Sequence, residues 1–303
     1  MSNKIINLHH ADFDGAISGA CMKVVYGNSG EYIPTAIGKV NETLNKIVKL
    51  QSLKDTTIFL TDLSIGPDNK ELINLIKTNK IIIYDHHINP FTEKLFEDIP
   101  KHNKLDSKIC GATITWLELL KIHKNNTRLK AMEDIVLLSD VYDMWRTNHI
   151  DFDKAVGIND LLSYKIGYTP AQFRDRFVDN PQIQFSKKER KIMDIQLKHR
   201  DVDLTNMMDD GFINTFKNHN FYITECDSPT DYTKYLLMNE LIDKGIDMFI
   251  FKFKNTTQCS VRIPPNSKIL DLNVWYDDIG CVGHKSAGGI PSTEYHKLIK
   301  LLN

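Results

Sequence analysis

The chain is predicted to be an α/β protein of two domains, the first built on a largely parallel sheet, and three observations carry that prediction. Short β-branched apolar runs recur through the first third, each ending in polar or acidic residues. Segments with helical spacing lie between them, the alternation expected of a parallel sheet with crossover helices. After a long polar stretch, strand and helix signals alternate again towards the C-terminus.

The runs KIINLHH (4–10), TTIFLTD (56–62) and KIIIYDHH (80–87) are short and do not alternate in polarity. Strands covered on both faces have that character. GAISGACMKVV (15–25) and KELINLIKT (70–78) have helical spacing, as do GATITWLELLKIH (111–123) and RLKAMEDIVLLSD (128–140). Residues 165–186 contain Pro170 and Pro181 and show no period. A long polar helix is predicted over 186–206, with Ser186 as N-cap and Glu189 three residues on. Its polarity on all sides suits a connector between domains. Beyond it, 220–226, 247–253 and 258–263 read as strands and 232–245 as a helix. The predicted boundaries are 1–165 for the first domain, 166–208 for a helical linker and 209–303 for a smaller α/β domain. The active site is expected in the cleft between the domains.

Composition sets the class of partner. The 303 residues are 42% hydrophobic and 25% charged, with a formal net charge of −1. Wrapping long duplex nucleic acid by bulk charge requires a basic excess that is missing here. Five cysteines, none in a Cys-x-x-Cys pair, suggest buried thiols in a reducing cytoplasm rather than disulfides or a thiolate zinc site. No stretch approaches the ~20 apolar residues that span a bilayer, and the start lacks the apolar core of a signal peptide. A protein of the cytoplasm with no membrane association is expected.

The chemistry-bearing residues fall at the strand ends, where ligands of parallel sheets bind. His10, Asp12 and Asp14 follow the first strand, Asp62 the second, and Asp85, His86 and His87 the third. If the segment is extended, His10, Asp12 and Asp14 share one face, and Asp14 caps the helix that follows. A lone Asp after a strand is ordinarily a cap or turn residue. Clusters at three successive strand ends, with a fourth acid at Asp140, point instead to a metal site. Oxygen and imidazole donors without thiolate suit Mn²⁺, Mg²⁺ or Fe²⁺, with Zn²⁺ open. Two cations would relieve the repulsion among so many carboxylates and are a common arrangement for attack on phosphorus.

The stretches HADFDG (10–15), FLTD (59–62), YDHH (84–87), LLSDVYD (137–143) and GHKSAGG (283–289) resemble, in order, the motifs of the DHH phosphoesterase superfamily with its DHH-associated C-terminal domain. The resemblance implies that His10 and Asp12 hold one metal and that Asp14, His86 and Asp140 hold the other. Asp62 would bridge both, a hydroxide between the two metals would be the nucleophile, and Asp85 and His87 would orient ligands or contact phosphate. It further implies that Gly283, His284, Lys285, Gly288 and Gly289 bind the substrate phosphate, since glycines let backbone N–H groups approach an anion. Arg262, with its fork of donors, is a further phosphate candidate. Relatives commonly carry a run of glycines where Cys281 and Val282 stand, which bears on substrate fit. Tyr142 and Trp145 could stack on a base, although core packing is the favoured reading.

Within that superfamily, 303 residues leave little room for the added domain of long processive exonucleases. The GHKSAGG ending also differs from that of family II pyrophosphatases. The remaining reading is a Mn²⁺-dependent oligoribonuclease (nanoRNase) type of phosphodiesterase taking short oligonucleotides or small nucleotides to mononucleotides. The alternatives are a cyclic (di)nucleotide phosphodiesterase, an adenosine 3′,5′-bisphosphate phosphatase and a non-catalytic nucleotide-binding protein. A homodimer is left open.

Overall fold

A computed structural model describes residues 4–36, 38–50, 53–63, 70–87, 103–162, 166–216, 218–227, 229–254, 256–269, 282–284, 287–291, 293 and 297. Two compact units, Met1–Met193 and Asp194–Asn303, divide the chain.

The first unit is built on strands β1 (Ile5–His10), β2 (Gly30–Thr35), β3 (Thr57–Thr61), β4 (Lys80–Asp85) and β5 (Lys104–Leu105), all parallel, in the order β2-β1-β3-β4-β5. Successive residues of a strand point to opposite faces, and both faces are covered, which is why the strands read as unbroken apolar runs. On one face Ile6, Leu8, Ile58, Leu60, Ile81 and Ile83 pack with Val40, Leu44 and Ile47 of α2 (Val40–Leu50) and Leu72 and Leu75 of α3 (Lys70–Ile76). The other face is covered by α1 (Phe13–Tyr26) and α4 (Gly111–Ile122). The chain leaves β1 for β2 on one side and then crosses to β3 on the other, so the strand order reverses between β1 and β3. That crevice, at the carboxyl ends of the strands, is the expected ligand position in such a sheet.

The three predicted strands of this sheet form at the expected places. β2 has no clean signal because it is an edge strand interrupted by Pro34, and proline is tolerated at an edge. The helix expected over 128–140 is instead two. α5 (Thr127–Lys130) is capped by Asn126 Oδ1, which accepts from Leu129 N at 3.0 Å, and α6 (Glu133–Asp143) runs three residues further than expected. α7 (Phe152–Asn159) follows. Part of the stretch expected as linker belongs to this unit. α8 (Pro170–Asp179) opens with a capping box between Thr169 and Gln172, and its Phe173 meets Phe13 of α1 edge-on with ring centroids 5.6 Å apart. The long polar helix is α9 (Lys187–Asp210), and Ser186 and Glu189 exchange hydrogen bonds of 2.7 and 3.2 Å at its start, as the sequence suggests.

The second unit holds β6 (Phe212–Phe216), β7 (His219–Cys226), α10 (Asp231–Glu240), β8 (Met248–Phe253), β9 (Gln258–Arg262), β10 (Val282–His284) and β11 (Ala287–Pro291). Its sheet has the order β10-β11-β9-β8-β7-β6, parallel only between β7 and β8. Phe221, Ile223, Met248, Ile250, Val261 and Ile290 fill one face, and Tyr222, Phe249, Phe251 and Leu237 the other. The protein is therefore α/β in both units, the first on a parallel sheet flanked by helices and the second on a mixed sheet. Among the described residues no helix is long and apolar enough to cross a membrane.

Candidate metal centre

Each strand end delivers its side chains by a different local device. His10 ends β1, and Asp12 rather than Asp14 is the N-cap of α1, its Oδ1 accepting from Gly15 N at 2.9 Å. Asp14 lies in the first helical turn, so the β-type alternation expected over 10–14 gives way to a strand-to-helix corner. Glycine is required at 15: a Cβ there would fall 2.3 Å from the His10 carbonyl oxygen. Asp62 follows β3 with φ of 56°, a left-handed conformation that costs a non-glycine residue about 1–3 kcal/mol and tends to be kept where function needs it. Its N–H still donates to Tyr84 O at 2.9 Å, which fixes the strained residue to β4. Asp85 ends β4, and His86 and His87 follow it.

These residues converge. His10 Nδ1 lies 2.7 Å from Asp12 Oδ2 and 3.6 Å from Asp62 Oδ2. His86 Nε2 lies 3.2 Å from Asp62 Oδ1 and 3.4 Å from Asp143 Oδ2. His87 Nδ1 is 2.8 Å from Asp85 Oδ1 and 3.8 Å from Asp62 Oδ1. Three overlapping sets result, with donor atoms inside 4.8 Å of one another: His10, Asp12 and Asp62; Asp14, His86 and Asp143; and Asp62, Asp85, His86 and His87. Asp62 and His86 each belong to two of these sets.

The electrostatics test whether cations fit. Burial, reinforced by the charges of Asp14 and Asp12, pushes the Asp62 carboxyl well above the usual carboxylate range. Asp143 is raised in the same way by burial and by Asp14. Burial alone would lower the His10 imidazole, but Asp12 and Asp62 outweigh it and push it up to about 11. His86 and His87 are raised against their burial, His86 chiefly by Asp143 and His87 by Asp85. Both oxygens of Asp62, Oδ2 of Asp85 and Oδ2 of Asp143 are buried, and among the described residues they have no well-formed hydrogen bond beyond the imidazole approaches given above. Buried carboxylates left this way are costly, and a divalent cation is the partner that satisfies several at once. The donor set, oxygen with imidazole, fits Mn²⁺ or Mg²⁺.

Asp140 is not brought to these sets. Its Oδ1 accepts from Cys110 N at 2.9 Å and its Oδ2 from Arg146 Nε at 2.6 Å. Asp143, one helical turn on, is the acid of α6 that converges with Asp14 and His86. The sequence held two acids in LLSDVYD and no signal that ranked them. Ser139 and Gly111 were also missed: Asp14 Oδ1 accepts from Ser139 Oγ at 3.0 Å and from Ala112 N at 2.8 Å, and Oδ2 accepts from Gly111 N at 2.7 Å.

In the second unit, Arg262 is engaged with Asp231 Oδ1 at 2.6 Å, Ser260 Oγ at 2.7 Å and Val261 O at 2.9 Å. In register it stands beside Ala287, while Gly283 pairs with Gly288 and His284 with Ala287. Gly289 pairs with Ser260, and Lys285 and Cys281 lie outside the described residues. Tyr142 and Trp145 join a run of rings with Phe13 and Phe152, centroids 5.4–6.0 Å apart, as core packing predicts.

No known family profile and no curated protein matches the chain. Solved structures do match in fold. The DHH domain of a protein named as a member of a family of ribosomal proteins aligns over 98% of this chain and 85% of its own, at 12% identity and a TM-score of 0.69. The exonuclease RecJ bound to manganese aligns over 98% and 88%, at 13% identity and 0.57. An exopolyphosphatase-related protein from Bacteroides fragilis aligns over 98% and 94%, at 12% identity and 0.52. The chain has the fold of DHH-domain proteins.

Proposed function

We propose that this chain is a metal-dependent phosphodiesterase that hydrolyses short oligonucleotides to mononucleotides, using two divalent cations, with Mn²⁺ preferred. The observation that carries the reading is the buried carboxylate group at the β1/β3 crevice whose oxygens at Asp62, Asp85 and Asp143 have, among the described residues, no well-formed hydrogen bond beyond the imidazole approaches. The shared fold with an exonuclease bound to manganese supports it.

His10, Asp12 and Asp62 would hold one cation and Asp14, His86 and Asp143 the other, with Asp62 placed to serve both. Bound cations supply Lewis-acid charge to a phosphoester and to the attacking water. The chain's own groups do the rest. Asp85 Oδ1 accepts from the His86 N–H at 2.9 Å and meets His87 Nδ1 at 2.8 Å. That contact fixes the His87 ring with Nδ1 as donor and directs Nε2 to a substrate phosphate or leaving group. Arg262, His284 and the glycines 283, 288 and 289 are proposed to hold substrate phosphates. The near-zero net charge favours a substrate with few phosphates to neutralise.

A substrate panel tests the reading. Metal-stripped protein is resupplied with Mn²⁺ and given a dinucleotide, a pentanucleotide, a ~25-mer, a cyclic dinucleotide, adenosine 3′,5′-bisphosphate, pyrophosphate and polyphosphate. Release of mononucleotides from the two short oligomers is expected to be fastest, to vanish in excess chelator and to recover better with Mn²⁺ than with Mg²⁺. Faster consumption of the cyclic compound, the bisphosphate or polyphosphate would overturn the substrate class. Undiminished turnover in chelator would overturn the metal chemistry.

A further inference from the structure

The N-terminus of α4 holds two carboxylates at once. Three successive N–H groups are spent on them: Cys110 N on Asp140 Oδ1 at 2.9 Å, Gly111 N on Asp14 Oδ2 at 2.7 Å, and Ala112 N on Asp14 Oδ1 at 2.8 Å. Only Asp14 belongs to a set of converging metal donors. The other carboxylate, Asp140, is closed off by Arg146, whose Nε donates to Asp140 Oδ2 at 2.6 Å and whose Nη2 donates to Lys108 O at 3.0 Å. One guanidinium thus ties the end of α6 to the turn that precedes α4.

The backbone is shaped to allow this. Directly after α6, Trp145 adopts φ of 53°, and Arg146 N donates to Val141 O at 3.0 Å. That reversal returns the Arg146 side chain over Asp140. A left-handed tryptophan is unfavourable by itself and persists where its surroundings hold it in place. Ser139, the neighbour of Asp140, donates its hydroxyl to Asp14 Oδ1 at 3.0 Å from the same helix. Among the described residues, each hydrogen-bond donor to Asp14 therefore comes from the start of α4 or from the residue preceding Asp140 in α6.

We propose that Asp140 and Arg146 are positioning residues: their ion pair fixes the start of α4, whose next two N–H groups aim the Asp14 carboxylate at the cation it shares with His86 and Asp143. The proposal rests on the metal-centre reading above and assigns Asp140 a role other than ligand. Groups that orient a metal ligand commonly account for about 10–100-fold in affinity.

The test is Mn²⁺ binding by equilibrium dialysis on the full chain, with activity followed against Mn²⁺ concentration. Arg146→Ala is the central variant, because its side chain is 41% exposed. It is expected to bind two ions, one of them about 10–100-fold more weakly, and to recover activity as Mn²⁺ is raised. Arg146→Lys should restore part of the affinity and of the melting temperature that Arg146→Ala loses in chelator by leaving the Asp140 carboxylate unpaired, while circular dichroism in chelator should match wild type for both. Asp140→Asn should also keep two ions, whereas Asp143→Asn should bind only one. Loss of an ion by Asp140→Asn would make Asp140 a ligand and overturn the proposal, as would unchanged binding by Arg146→Ala. A wild-type chain that binds no Mn²⁺ would overturn the metal-centre reading itself, and the positioning role with it; two ions in wild type isolate the positioning role.

Discussion

Asp62→Asn is expected to lower metal-dependent turnover by on the order of 10³-fold or more, about 4 kcal/mol of barrier, while raising the melting temperature of the metal-free protein. The two effects share a cause. Asp62 is 1% exposed and sits among the charges of Asp14 and Asp12, which, together with burial, outweigh the relief from the His10 imidazole. On the proposed function it serves cations and is a liability without them. Asparagine keeps the shape and tolerates the left-handed φ of 56°, so the substitution removes charge without disturbing the backbone.

The sign follows from linkage. A carboxyl raised in the folded state adds no penalty below its ordinary value of 3.8 and destabilises the fold increasingly as pH rises above it, until the raised value is passed. Asparagine does not carry that penalty. In chelator near neutral pH the variant should melt higher than wild type, by about 2–4 °C for each kcal/mol relieved. In Mn²⁺ the order should reverse, because ligand binding stabilises only the chain that binds. Scanning calorimetry with and without metal reads both. A variant less stable than wild type in chelator would show that Asp62 is satisfied within the fold alone.

Gly111→Ala is expected to cost about 100-fold or more in kcat/KM and about 1–3 kcal/mol of stability. Alanine is ordinarily the better helix former by about 1 kcal/mol, so the local preference runs the other way. Packing decides it. A Cβ at 111 would lie 2.6 Å from Asp62 Cβ and 3.0 Å from both Asp62 Cα and Asp14 Oδ2. Two of the three atoms belong to a residue held by its own bond to β4, so the start of α4 must shift from Asp62 and disturb its hydrogen bonds to Asp14, or the two carboxylates must shift. Urea unfolding and Mn²⁺-saturated kinetics check the two figures. Wild-type kinetics in this variant would mean that the placement of Asp14 and Asp62 is not critical.

The first sheet and the acidic and imidazole residues at its strand ends were legible because buried parallel strands announce themselves as unbroken apolar runs, and Asp62, Asp85, His86 and His87 sit at or directly after their ends. The corner at 10–14 was legible in composition but not in geometry: Asp12 takes the cap because its carboxylate can reach Gly15 N, which places Asp14 inside the helix. α2 carries only a weak signal although Val40, Leu44 and Ile47 have helical spacing, since the residues between them are polar and only tertiary burial selects them. The choice between Asp140 and Asp143 could not be made from sequence. Both lie on one helix three residues apart, and what separates them is Arg146, brought back by a turn that no local preference predicts. Gly111 carried no signal either, because its neighbours Asp14 and Asp62 are distant in sequence and meet only in the fold.

Anomalous diffraction at the manganese edge, from crystals of the full chain grown in Mn²⁺, tests the central claim most directly. Two peaks are predicted, one against His10, Asp12 and Asp62 and one against Asp14, His86 and Asp143, with Asp140 still paired to Arg146. Absence of any peak beside Asp62 would contradict the account.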